Sequence, residues 1–142
     1  MLGSFRIFRR ASDWRLLLGA AIAQALTACA LRTASLRTVR TWAARCRPIV
    51  RLMLSGPDER VIRAVEATGR RLGGLSTCLV RAIVVQTRLT ASGHPLRLTI
   101  GVKRAAAGGV NSHAWVTDGQ RILTGGPADP DLLPIITWES AA

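Results

Sequence analysis

The hydrophobic pattern changes period once along the chain. From Leu16 to Leu31 almost every position is apolar, with Gln24 as the interruption. With Ser12 as cap, this predicts a helix from about Asp13 to Leu31 that is apolar on every side and so must be buried or membrane-associated. Leu36, Val39, Ala43 and Cys46 recur at three-four-three spacing, a second helix with arginines on its outer face, ended or kinked by Pro48. After Ser55-Gly56-Pro57, Asp58-Glu59 suits a helix N-terminus. Val61, Ile62, Val65 and Leu72 mark this third helix, which stops at Gly73-Gly74. Ser76 or Thr77 caps a fourth, with Leu79, Ala82, Ile83, Gln86 and Leu89 on its apolar face and Gly93 and Pro95 closing it.

Beyond Pro95 the period becomes two. Leu96, Leu98, Ile100 and Val102 alternate with Arg97, Thr99 and Gly101, a half-buried strand. Ala105 to Gly109 reads as a small-residue loop, Asn111 to Thr117 as a second strand, Asp118-Gly119 as a tight turn and Gln120 to Thr124 as a third strand. The tail from Gly125, with Pro127, Pro130 and Pro134, reads as loop. Helices first and an antiparallel sheet afterwards predict an α+β domain. Residues 1–56 form a basic, apolar helical region and 57–142 a core, in one compact unit.

Composition sharpens this in two ways. At 142 residues and 49% hydrophobic, the chain can bury a core without disulfides, and disorder is excluded. The charge is lopsided: residues 1–104 hold 19 basic and four acidic side chains, residues 105–142 one and four. A basic body attracts nucleic acid, anionic lipid or acidic peptide. With no Tyr, two Phe and one Lys, stacking platforms are scarce and specific nucleic-acid binding is not expected.

Cys29, Cys46 and Cys78 form neither a disulfide framework nor a zinc motif, and a reducing cytoplasm suits them. Leu26-Thr27-Ala28-Cys29 spells a lipoprotein-type cleavage box behind Arg6, Arg9 and Arg10. Against export stand Asp13, Arg15, Gln24 and the six arginines from Arg32 to Arg51. The apolar run is also short of the roughly 20 residues a spanning helix needs. A buried helix is expected, and a membrane is not.

The candidate chemistry lies in the second half. Cys78 falls in the first turn of a helix, where the dipole and free N–H groups favour a thiolate and can hold an oxyanion. His113 lies on a strand within Ser112-His113-Ala114-Trp115-Val116. A thiol on a helix tip and an imidazole on a strand are the nucleophile and base of cysteine hydrolases and acyltransferases. The plainer reading of each is a core cysteine and a structural histidine. Trp115 and Thr117 share the His113 face; Trp115 walls a groove or packs under the sheet. Trp14, Trp42 and Trp138 are expected to pack, His94 to lie in a loop, and Arg70-Arg71 to be solvated.

Five segments follow in order: Ala64-Val-Glu-Ala-Thr-Gly-Arg-Arg-Leu, Ser76-Thr-Cys78-Leu-Val-Arg-Ala82, Leu98-Thr-Ile-Gly-Val102, His113-Ala-Trp-Val116 and Asp118-Gly119. Together they resemble the transglutaminase-like leader peptidases of lasso-peptide biosynthesis. The resemblance implies a papain/transglutaminase-like core, with Cys78 as nucleophile and His113 as base, cleaving the leader from a precursor peptide. It also implies a leader-recognition partner and hand-over to a macrolactam synthetase. No metal or organic cofactor is implied. The family usually places an Asp about twelve residues after the histidine, where this chain has Gly125. A turn at Asp118-Gly119 would pair His113 with Thr124, leaving Asp129, Asp131, Thr124 or a backbone carbonyl to orient the ring. Two rival readings stand beside this one: another transglutaminase-like acyl transferase or amidase, and a non-catalytic basic scaffold for peptide or membrane.

Overall fold

The computed structural model describes residues 11–93, 95–126 and 129–140. Five helices precede a four-stranded sheet: α1 (Ala11–Thr33), α2 (Leu36–Arg45), α3 (Arg47–Met53), α4 (Asp58–Leu72) and α5 (Cys78–Thr90), then β1 (Arg97–Arg104), β2 (Val110–Asp118), β3 (Arg121–Thr124) and β4 (Leu133–Glu139). The sheet is antiparallel with order β3-β2-β1-β4. The fold is α+β, as the order of elements predicts.

Helix α5 is the hub. Val80 and every residue from Ala82 to Thr90 are buried, each fully buried aliphatic contributing about 1.5–3 kcal/mol. Leu98, Ala114 and Val116 share one core with Ile83, Val84 and Val85 of α5 and with Leu16, Leu17 and Ala20 of α1. By strand alternation His113, Trp115 and Thr117 take the other face of β2. Arg88, buried in α5, donates to the carbonyls of Leu54 and Gly56, at 2.5 and 2.9 Å, and ties the α3–α4 connection down.

Helix α1 departs from expectation. Leu16, Leu17, Ala20, Ala23 and Ala28 are buried, yet Trp14, Leu18, Ile22 and Leu26 are exposed along a four-residue spacing. Trp14 and Trp42 are therefore surface residues, not packing residues. The segment Asp13–Thr33 is long and apolar enough to cross a bilayer by length and composition, contrary to the shorter run counted from Leu16. Its polar residues show what the helix does in this fold. Asp13, almost wholly buried, forms an ion pair with Arg60 of α4. Gln24, fully buried, donates through Nε2 to the carbonyl of Val65 (3.1 Å) and to Thr68 Oγ1 (2.7 Å), and accepts from Ser76 Oγ. The residue that interrupts the apolar run is the one that fastens α1 to α4 and to the approach of α5.

Two breaks follow the sequence signals closely. Pro48 stands in the first turn of α3, where its missing N–H costs nothing, so it opens a helix after ending one. Thr77, not Ser76, caps α5 by accepting from Val80 N. The tail does not follow them: Leu133–Glu139 is a strand, not loop. β4 is an edge strand, and its pairing with β1 slips between Ile100 and Gly101, where Pro134 lies. A proline is tolerated at an edge because its missing donor breaks no inner ladder.

Candidate active site

Cys78 is the first residue of α5 and is half-buried against the core. With Val80 N taken by the Thr77 hydroxyl, the N–H groups of Cys78 and Leu79 keep no acceptor among the described residues. They are free donors at the positive end of a helix. The approach to Cys78 is held by Gln24 through Ser76, and by the closeness of α4. A Cβ on Gly69 would lie 2.8 Å from Ser76 Oγ and 2.7 Å from Arg81 Cδ, so any larger residue there would push both side chains aside. Neither Gln24 nor Gly69 stood out in the sequence as a site residue; a glycine within an amphipathic helix was the available signal for the second.

His113 occupies the stretch of β2 beyond the end of β3. The β2–β3 ladder runs Asp118↔Arg121, Thr117↔Ile122 and, past a slip, Val116↔Thr124. The connecting residues are thus Gly119-Gln120, and the expected pairing of His113 with Thr124 does not occur. Beyond the paired residues, the carbonyl oxygen of Gly125 contacts His113 Nε2. A carbonyl can only accept, so in the neutral ring Nε2 carries the hydrogen and Nδ1 is left as the acceptor. The ring stacks on Trp115 with centroids 6.2 Å apart.

The structure also explains why no Asp stands at position 125. Gly125 has φ +82°, and a Cβ there would run into the Ala114 carbonyl oxygen and come within 2.9 Å of Trp115 Cα. Of the carboxylates left as candidates, Asp129 is engaged elsewhere and Asp131 has no contact with His113 among the described residues. Asp129 pairs with Lys103 and accepts from Asp131 N at 3.0 Å. It flanks a shallow hollow that His113 also lines, but the ring's hydrogen-bond partner is Gly125. His94 lies outside the described residues, and Arg70 and Arg71 are exposed.

His113 also faces a broader cleft bounded by α4, α5 and β3, lined among others by Glu66, Arg81, Thr124 and Gly125. Glu66 accepts from Arg81 Nη1 at 2.9 Å and from Thr124 Oγ1, so the charges of this wall cancel. Arg81 is one turn beyond Cys78 on α5. Cys78 itself is not among the residues lining the cleft, and no hydrogen bond joins Cys78 to His113 among the described residues. The structure brings His113, Glu66 and Arg81 to one cleft, with Cys78 at the adjoining helix tip.

A sequence profile of the transglutaminase-like superfamily matches residues 5–137. The chain belongs to the transglutaminase-like superfamily. The match takes in the arginine-rich helices as well as the sheet, and places the domain among folds of the cysteine peptidase or acyltransferase type. No curated protein and no solved structure gives a significant match. Within the transglutaminase-like fold of this chain, His113 is held by the backbone carbonyl of Gly125.

Proposed function

We propose that the protein is a cysteine peptidase that removes the leader from a lasso-peptide precursor, acting in the cytoplasm with a leader-recognition partner. The observation that carries this is the His113 ring, fixed through Nε2 by Gly125 with Nδ1 left as acceptor, facing a cleft walled by Arg81 of the same helix that Cys78 opens. His113 takes the thiol proton, and Cys78 Sγ attacks the scissile carbonyl carbon. The N–H groups of Cys78 and Leu79 receive the developing oxyanion. The C–N bond breaks as the imidazolium returns its proton to the leaving amine. A water, deprotonated by His113, then cleaves the thioester and restores the thiol. The freed core N-terminus passes to a macrolactam synthetase. A carbonyl stabilises the imidazolium less than a carboxylate does, since charge-assisted hydrogen bonds are about twice as strong as neutral ones. Turnover slower than that of a carboxylate-bearing relative is the corollary.

Mass spectrometry of a precursor incubated with the protein and its partner tests this. Wild type should make one cut at the leader–core junction, and Cys78→Ala and His113→Ala should lose it by at least about a hundredfold. Aminolysis products in place of hydrolysis products would make the protein an acyl transferase. Binding without any cut, preserved in Cys78→Ala, would make it a scaffold.

A further inference from the structure

At the opposite end of α5 from Cys78 lies a cavity of about 370 Å³ in which Arg37 and Arg40 of α2 and Arg47 of α3 converge over Gln86, Thr87 and Thr90. No Asp or Glu lines it, and none of the three arginines has a carboxylate partner among the described residues. Two polar atoms belonging to its walls are orphaned. Arg47 Nε and Thr90 Oγ1 are both buried with no hydrogen-bond partner. Such groups are rare in folded proteins and call for an explanation, because each costs the desolvation of an unmade bond. Arg40 is stacked on the Trp138 ring at 4.2 Å and cannot swing away without losing that contact. Burial first, and Arg47 second, lower the Arg40 pKa. The arginines strain against one another in a hollow with no counter-charge.

We propose that this cavity binds a phosphoryl anion larger than orthophosphate, of the pyrophosphate class. Guanidinium forks match phosphoryl oxygens, and a compact anion of several negative charges answers three convergent arginines where a single carboxylate does not. The volume lies within the range of small-molecule sites, about 300–1,000 Å³, and leaves room beyond one phosphate. Thr90 stands twelve residues after Cys78, about 18 Å along the helix, so the ligand does not meet the scissile bond. It clamps α2, α3 and the C-terminal end of α5 together.

Isothermal titration of the full chain with inorganic pyrophosphate at constant ionic strength reads this without any cleavage assay. One saturable site per chain is expected, weakened about tenfold in Arg37→Gln and in Arg47→Gln. Arg104→Gln, at the far end of β1, should shift affinity less than about twofold. Citrate at the same ionic strength should bind more weakly. Absent or non-saturable binding, equal losses in Arg104→Gln, or tighter binding of citrate would overturn the proposal. Arg37 is exposed, so its variant is expected to fold even if Arg47→Gln does not.

Discussion

The two ends of α5 carry the same kind of side chain in opposite electrostatic states. At the N-terminal end Arg81 meets Glu66, which also accepts from Thr124, and the wall beside His113 is neutral. At the C-terminal end Arg37, Arg40 and Arg47 gather with no acid among the residues around them. A neutral wall suits the thiol–imidazole chemistry proposed for the first region. An unbalanced one is complete only with an anion from outside. The lopsided charge of the sequence is therefore not spread evenly: part is cancelled at one site and part is left open at another.

The largest effect expected is at Gly125. Gly125→Asp supplies the carboxylate expected from the resemblance to lasso leader peptidases, and should still abolish cleavage rather than improve it. The left-handed backbone there costs a non-glycine residue about 1–3 kcal/mol, and the Cβ collides with the Ala114 carbonyl. Urea unfolding and cleavage rate measured together check this; a faster enzyme of unchanged stability would mean that the carbonyl is not what orients His113.

A smaller effect separates the two ends by sign. Arg81→Gln removes a partner of Glu66 from a pair that is about a quarter exposed, and should destabilise by at most about 1 kcal/mol. Arg47→Gln relieves like charge and a buried orphan, and should leave stability in plain chloride buffer unchanged or raised. Thermal midpoints decide it, and a loss as large in Arg47→Gln as in Arg81→Gln would erase the contrast.

The smallest effect concerns Asp129, beside His113 but committed to Lys103. Hydrogen bonding by Lys103 first, and by the Asp131 backbone second, holds its carboxyl below the ordinary value. A lowered pKa means that the pair's contribution is present above about pH 4, the unfolded value, and fades as pH falls through the folded one. The gap in thermal midpoint between wild type and Asp129→Asn should be small at pH 6 and narrow further as pH falls below the ordinary carboxylate range. Cleavage at pH 7 should stay within about twofold. A drop of a hundredfold would make Asp129 the residue that orients the histidine.

Much of this was readable before any coordinates. Periodicity located α1, α2, α4 and α5 as four predicted runs and Pro48 marked the end of the second, but α3 behind it was not read as a helix of its own. It also located the first three strands and put Cys78 at a helix start and His113 on a strand. What escaped was long-range. β4 was hidden because prolines read as loop, and only its position at the sheet edge makes Pro134 harmless. The β2–β3 register was off because the turn sits one residue later than Asp118-Gly119, and a further ladder slip leaves no mark in the residues; the contact of Gly125 with His113 exists only in the folded sheet. The exposed stripe Trp14, Leu18, Ile22 and Leu26 was unreadable because an all-apolar helix does not say which of its faces meets a core.

The sequence by itself determined the class of fold, the order of elements and the residue types able to do chemistry. These follow from local propensity and spacing, which are written in the chain. The tertiary structure alone decided that Gln24 is a fastener, that the Gly125 carbonyl meets His113, and that three arginines share one hollow. Each of these depends on groups dozens of residues apart meeting across packed elements, and on buried polar atoms finding partners or being left without them.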